Sequence, residues 1–237
     1  MEGRLDDIRT CIACNTCMES IFRKGKVECL VNPTLGKEKE MPFQPTRTPA
    51  KVMVIGGGPG GLNVAWIAAK RGHEVDLFEK RSVLGGQLIM GSVMAFKNEL
   101  LDLIRFLRTR VERFGVNCHL NYEVTVDTVK AKDPDVVILA TGSLPSFPTV
   151  PGINKGLVLP YTEVLNGDQP VRKKTLVVGG GPTGCETALY LSENGSPVTV
   201  VEICPEIGRG LEPMTKKILL GKLVKNSVQI MTGFRPS

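Results

Sequence analysis

Four cysteines between Cys11 and Cys29 carry the densest reactive chemistry in the sequence. CIACNTCMESIFRKGKVEC sets them at C-x2-C-x2-C-x11-C, and Leu-Val-Asn-Pro follows at once. The first three thiols share one tight loop and the fourth returns from a short excursion, so all four can converge on one centre. Structural zinc sites usually take their ligands from two separated C-x2-4-C pairs. A C-x2-C-x2-C run instead holds three corners of an iron-sulfur cubane, with a distant cysteine on the fourth iron. The spacing favours a 4Fe-4S cluster on Cys11, Cys14, Cys17 and Cys29 over zinc, with uncoordinated thiols or disulfides as the remaining alternative. Arg23, Lys24 and Lys26 lie inside the longer loop, where they either offset thiolate charge or form a solvated basic turn.

A second chemical signal is an internal repeat. Residues 54–88 align without a gap with 177–211, pairing Gly56 with Gly179, Gly58 with Gly181, Pro59 with Pro182, Gly61 with Gly184 and Glu79 with Glu202. Each copy reads as an apolar strand (KVMVIG, TLVVGG), a G-x-G-x-x-G turn opening a helix, and a second strand ending in an acid. That order makes each a dinucleotide-binding unit. Gly56 and Gly179 permit the tight turn, and Gly58 and Gly181 let the backbone approach a pyrophosphate. Gly61 and Gly184 allow close packing of a helix whose N-terminal amides face the phosphates. Glu79 and Glu202 stand where a carboxylate accepts hydrogen bonds from ribose hydroxyls. Gly85-Gly86-Gln87-Leu88 adds a second glycine pair able to approach a cofactor. The second copy has Gly208-Arg209 there, so the two sites are not chemically equal.

The elements that must position these residues form an α/β fold of paired Rossmann-like units preceded by a cysteine-rich segment. The boundaries predicted are 1–49 for the cysteine segment, 50–150 for the first unit and 151–237 for the second. Pro42, Pro45 and Pro49 mark a hinge, and the proline- and glycine-rich stretch 144–174 a connection. Leu100, Leu103, Ile104, Leu107, Val111 and Phe114 recur at a helical period, with Arg105, Arg108, Arg110 and Arg113 as a solvated face. DVVILATG, from Asp135 to Gly142, reads as a strand buried on both faces. Cys118, Cys185 and Cys204 read as small core residues, and His73 and His119 as surface or turn residues without partners.

Bulk composition narrows the function classes. The net charge of +6 is spread along a chain with 5% aromatic residues, which argues against a nucleic-acid interface. The N-terminus shows no signal peptide, and the charge-free span 52–69 is broken by Gly-Gly-Gly-Pro-Gly-Gly, so it cannot be a membrane helix. Seven cysteines without an export signal point to a reducing cytoplasm.

CIACNTC with CLVNP, VMVIGGGPGG with GGQL and ATG, and VVGGGPTGCETA with VTVVEICPEIG together resemble the C-terminal half of the old-yellow-enzyme-like iron-sulfur flavoenzymes. That family includes the 2,4-dienoyl-CoA reductases, 2-enoate reductases and trimethylamine dehydrogenase. The resemblance implies a disulfide-reductase-like fold whose first unit holds FAD and whose second accepts NAD(P)H. It implies a 4Fe-4S cluster on the four cysteines and an FMN-bearing barrel, in a missing or partner domain, that receives the electrons. It places Gly56, Gly58, Pro59, Gly61, Glu79, Gly86, Gln87, Leu88, Thr141 and Gly142 at FAD, and Gly179, Gly181, Gly184 and Glu202 at the nicotinamide nucleotide. No side chain is implied as an acid-base catalyst.

Two departures accompany the resemblance. No barrel precedes the cysteines, and the counterpart of residues 140–142 would fall beyond Ser237, so the second nucleotide domain is expected to be truncated. Glu202 followed by Ile203 and Cys204, with no arginine, predicts NADH over NADPH. The expected activity is an electron-input module: hydride from NADH to FAD, then single electrons to the cluster and on to an FMN domain that reduces an enoate or enoyl-CoA. A glutamate-synthase-small-chain-like subunit and a non-catalytic fragment are the rivals.

Overall fold

The computed structural model describes residues 3–153, 156–168 and 174–234. In chain order these form α1 (Thr16–Lys24), β1 (Lys51–Ile55), α2 (Pro59–Lys70), β2 (Glu74–Phe78), α3 (Gln87–Gly91), α4 (Glu99–Arg113), β3 (Asn117–His119) and α5 (Val126–Lys132). There follow β4 (Val136–Leu139), α6 (Tyr161–Leu165), β5 (Thr175–Val178), α7 (Pro182–Glu193), β6 (Val198–Glu202), α8 (Pro213–Lys225) and β7 (Gln229–Thr232). They divide into two compact units, Met1–Ala13 with Cys29–Ser143 and Cys14–Glu28 with Leu144–Ser237. The cysteine segment is thus shared between the units. Residues 154–155 and 169–173 of the expected connection lie outside the described residues.

Unit 1 is built on a parallel sheet of order β3-β2-β1-β4. Parallel neighbours require crossover connections, and α2 and α4 are covering helices of this kind. Val52 and Val54 of β1 and Val75 and Leu77 of β2 share a face because strand side chains alternate. They meet Leu62, Ala65 and Trp66 of α2, and Leu103, Phe106, Leu107 and Val111 of α4. Each such side chain contributes about 1.5–3 kcal/mol on full burial, so this cluster is the stabilising mass of the unit. The proline segment is docked on the same unit: Phe43 meets Trp66 edge-on, and the Thr46 N–H donates to the Arg71 carbonyl at 2.7 Å.

Three sequence expectations are corrected in unit 1. The apolar strand β4 is an edge strand with Val136, Val137 and Leu139 exposed, because β1 pairs with it on one side only and, among the described residues, no strand lies beyond it. The α4 arginines are not a plain solvated face. Arg113 bonds Asp7 and Arg110 lies 3.9 Å from the same carboxylate, while Arg105 pairs with Asp6 and Arg108 donates to the Leu84 carbonyl. Desolvation pushes the Asp7 carboxyl up, but the Arg113 hydrogen bond with the charges of Arg113, Arg110 and Arg4 holds it below its usual range. Finally, both histidines have partners: His73 Nδ1 accepts the Ala50 N–H at 3.2 Å, and His119 Nε2 lies 2.6 Å from Asp76 Oδ1 while its ring stacks on Phe78.

Unit 2 carries a parallel sheet of order β5-β6-β7, the counterparts of β1, β2 and β3. Cys185, Ala188 and Leu189 of α7 are buried, as are Val198 and Val200 of β6 and Leu219 and Leu223 of α8. Cys185 is the core thiol that the sequence suggests, and burial pushes its pKa up, keeping it protonated and inert. Cys118 is exposed and Cys204 only half-buried, so neither is a core residue. Both α2 and α7 begin at a proline following the third residue of a Gly-Gly-Gly turn, where the fixed φ of proline suits a first helical position. No described helix is long and apolar enough to cross a membrane.

Candidate functional site

In unit 1 the glycine turn is shaped by close backbone approach. Gly56 has φ 114°, and a Cβ there would stand 2.2 Å from the Ala140 carbonyl oxygen. The turn therefore abuts the end of β4, which brings Thr141 and Gly142 beside it. A Cβ at Gly61 would lie 1.9 Å from the Gly56 carbonyl oxygen, so only glycine lets α2 start this close to its strand. Gly86, at φ 55°, packs on Gly58, where an added Cβ would stand 2.7 Å from the Gly58 Cα. Gln87 Nε2 donates to the Ser143 carbonyl at 3.0 Å, tying the Gly-Gly-Gln-Leu turn to the Thr-Gly turn. Leu88 packs at the edge of the core. Gly56, Gly58, Pro59, Gly61, Gly86, Gln87, Thr141 and Gly142 thereby gather around the N-terminus of α2, which has no side-chain cap.

Glu79 shows a role that the sequence alone did not indicate. It is buried, its Oε2 accepts the Gly57 N–H at 2.7 Å, and its Oε1 accepts the Arg81 N–H at 2.9 Å. Each carboxylate oxygen has two lone-pair directions, so capacity for a ribose hydroxyl remains. The acid shapes the loop before any cofactor arrives.

Unit 2 repeats this device. Gly179 has φ 104°, and a Cβ at Gly184 would stand 1.8 Å from the Gly179 carbonyl oxygen. Glu202 Oε2 accepts the Gly180 N–H at 2.6 Å and its Oε1 the Cys204 N–H at 2.8 Å. These backbone N–H groups, Cys204 first and Gly180 next, hold the Glu202 carboxyl below the ordinary value of 4.5 and keep it ionised. The site differs from unit 1 where Arg209 replaces Gly86: its guanidinium donates to the Cys204 Sγ at 2.9 Å. Arg209, Lys216, Lys217 and Glu206 border an open hollow of about 480 Å³. Gly181 is unobstructed, with nothing within 4 Å of an added Cβ.

The chemistry of both loops fits a dinucleotide. Backbone cradles that a Cβ would fill, helix N-termini without a side-chain cap, and an acid beside each turn are the features a pyrophosphate and ribose require. For the cysteines, the fit rests on sulfur chemistry. All four thiols are free, and the Cys11 Sγ accepts the Ala13 N–H at 3.3 Å. Cys11 and Cys29 fall in unit 1, and Cys14 and Cys17 in unit 2. Among the described residues, no three or more His, Cys, Asp or Glu side chains are gathered to hold a metal ion. The basic residues of the longer loop are paired locally, Arg23 with Glu19 and both Lys24 and Lys26 with Glu28.

A family profile described as pyridine nucleotide-disulphide oxidoreductase matches residues 50–237. An NADH oxidase of Thermoanaerobacter brockii is 38% identical over 98% of this chain and 37% of its own length. A cinnamate reductase of Clostridium sporogenes is 37% identical over 87% of this chain and 31% of its own length. The solved 2-naphthoyl-CoA reductase, in complex with 2-naphthoyl-CoA, superposes with a TM-score of 0.94 at 33% identity, covering 98% of this chain and 36% of that one. The chain spans about a third of the length of these relatives.

Proposed function

The chain belongs to the pyridine nucleotide-disulphide oxidoreductase family, whose paired folds serve NAD(P)H-dependent flavin oxidoreduction, and from that premise we propose that it is the electron-input part of an iron-sulfur flavoenzyme of the cytoplasm. Unit 1 takes FAD and unit 2 takes NADH in preference to NADPH. Electrons leave through a 4Fe-4S cluster to an FMN-bearing domain or partner. The observation that carries this reading is the duplicated loop, in which an acid in each unit accepts one N–H from the glycine turn, Gly57 or Gly180, and one from the residue two positions after itself, Arg81 or Cys204.

Bound FAD supplies a group that accepts hydride and releases single electrons, and the protein supplies binding and orientation. In unit 1 the Gly58 backbone and the first turn of α2 receive the pyrophosphate, with Glu79 on the adenosine ribose. Gly86, Gln87, Thr141 and Gly142 wall the cofactor along the turns that Gln87 ties together. In unit 2 Gly179, Gly181 and Gly184 do the same for the nicotinamide nucleotide, and the anionic Glu202 accepts a 2′-hydroxyl while repelling a 2′-phosphate. Cys11, Cys14, Cys17 and Cys29 would hold the cluster, whose chemistry is one-electron carriage. The relatives that reduce cinnamate and 2-naphthoyl-CoA support a conjugated enoate or acyl-CoA as the final substrate.

Anaerobic purification followed by flavin, iron and sulfide analysis tests this. The reading expects FAD and four irons with four sulfides per chain. A chain that binds neither would be a non-catalytic fragment.

A further inference from the structure

We propose that Thr215 and Glu212, on the first turn of α8, are positioning residues for the loop between Cys14 and Cys17, acting through Asn15. This rests on the reading of those cysteines as cluster ligands. All the residues concerned lie in unit 2. Asn15 is the residue before α1, at φ 56° and ψ 8°, and its side chain makes no capping bond to that helix. An asparagine there ordinarily accepts a backbone N–H from the first turn. Its amide is instead turned outward, and Nδ2 donates to Thr215 Oγ1 at 3.4 Å.

Thr215 passes the contact on. Its hydroxyl donates to Glu212 Oε2 at 3.0 Å, and the same carboxylate caps α8 by accepting the Met214 N–H at 3.0 Å and the Thr215 N–H at 2.8 Å. Charge-assisted bonds of this kind are about twice as strong as neutral ones, so the far end of the chain is firmly fixed. The near end is the middle of a cysteine loop. Cys14 Sγ donates to Thr16 Oγ1 at 3.3 Å, and the Cys17 carbonyl accepts from the buried Ser20 hydroxyl at 3.0 Å. Asn15 thus links the loop of Cys14 and Cys17 to α8. The same helix borders the dinucleotide loop: the Lys216 stem packs over Gly208, whose N–H donates to the Gly180 carbonyl at 2.6 Å.

Groups that orient metal ligands without touching the metal typically alter affinity 10–100-fold when removed. The test is the rate of iron release to a chelator from the anaerobically purified chain, for wild type, Thr215→Val, Asn15→Gly, the double variant and Thr215→Ser. Glycine tolerates the left-handed backbone at position 15, so Asn15→Gly removes the amide without strain and leaves α8 untouched, and the Thr215 variants separate the lost bond from the added backbone freedom. The proposal expects each of Thr215→Val and Asn15→Gly to speed release about tenfold or more. The double variant should release no faster than the faster single one, and Thr215→Ser should restore the wild-type rate. Wild-type rates in either single variant, or effects that multiply in the double, would overturn it. If Thr215→Val fails to fold, the Asn15→Gly rate decides. Wild-type chain that retains no iron or sulfide would overturn the cluster reading itself, so the two failures are distinguishable.

Discussion

Glu79 and Glu202 make the same pair of bonds: each accepts the middle N–H of its glycine turn, from Gly57 at 2.7 Å and from Gly180 at 2.6 Å, and the N–H two residues further on, from Arg81 at 2.9 Å and from Cys204 at 2.8 Å. The match extends to the next turn, where the Gly85 N–H donates to the Gly57 carbonyl at 2.8 Å and the Gly208 N–H to the Gly180 carbonyl at 2.6 Å. Each acid is therefore an architectural part of its loop, and with the ribose role proposed for it, its removal has two separable effects.

Replacing Glu79 by glutamine keeps its size but leaves one carboxamide nitrogen, a donor, facing a backbone donor. A hydrogen bond to a charged group contributes about 1.5–3 kcal/mol, so FAD affinity should fall at least about tenfold. Titration of the apoprotein with FAD, read by flavin fluorescence, measures this. Unchanged affinity would show that the loop holds its shape without the acid.

The close approaches at Gly61 and Gly184 predict unit-specific damage. Overpacking typically costs about 1–3 kcal/mol, and here the colliding atom is backbone, which cannot turn aside. Gly61→Ala should lower the melting midpoint and abolish FAD retention, whereas Gly184→Ala should spare FAD and weaken NADH binding. Gly60→Ala, with nothing within 4 Å of the added methyl, is the control and should leave the midpoint unchanged or raise it.

Nucleotide preference turns on the charge of Glu202. Its pKa in the folded chain lies below the ordinary 4.5, so its contribution to stability is present above about pH 4.5 and is lost as pH falls through the folded value. At neutral pH the acid is anionic and NADH should reduce the flavin faster than NADPH. Glu202→Gln should narrow that gap, because it removes the charge that repels a 2′-phosphate while the Arg209 guanidinium stays at the Cys204 thiol. Stopped-flow comparison of the two nucleotides decides it, and equal wild-type rates would count against the assignment.

Asp7 fastens the N-terminal segment to α4 through Arg113, and its pKa is likewise held below the ordinary 3.8. The attachment is complete above that value and is lost as pH falls through the folded one. Limited proteolysis should therefore cut within residues 4–13 at strongly acid pH but not at neutral pH, and Asp7→Asn should show the acid pattern at neutral pH. Identical digestion of variant and wild type would contradict this.

The dinucleotide loops were legible in the sequence because each glycine records a place where backbone meets backbone. Gly61 against the Gly56 carbonyl and Gly184 against the Gly179 carbonyl are the collisions that the motif implies. The exposure of β4 was not legible, since a continuous apolar run looks the same in an edge strand as in a central one. Nor were the partners of Arg110, Arg113 and His119: Asp7 lies on a distant stretch of chain and Asp76 on a neighbouring strand, and periodicity carries no information about such contacts. Arg209 sits in an irregular loop without a period, so only the fold brings it to Cys204. The cysteine spacing was plain from the start, whereas the tether of Asn15 to Thr215 joins residues 200 positions apart.

Hydride transfer from a nicotinamide nucleotide to FAD is the step proposed for this chain. Anaerobic titration of the FAD-loaded chain with NADH, followed by flavin absorbance, tests it most directly. The account predicts bleaching of the oxidised flavin band by NADH, lost in Gly184→Ala while FAD stays bound. A flavin band that persists through excess NADH in the wild-type chain would contradict it.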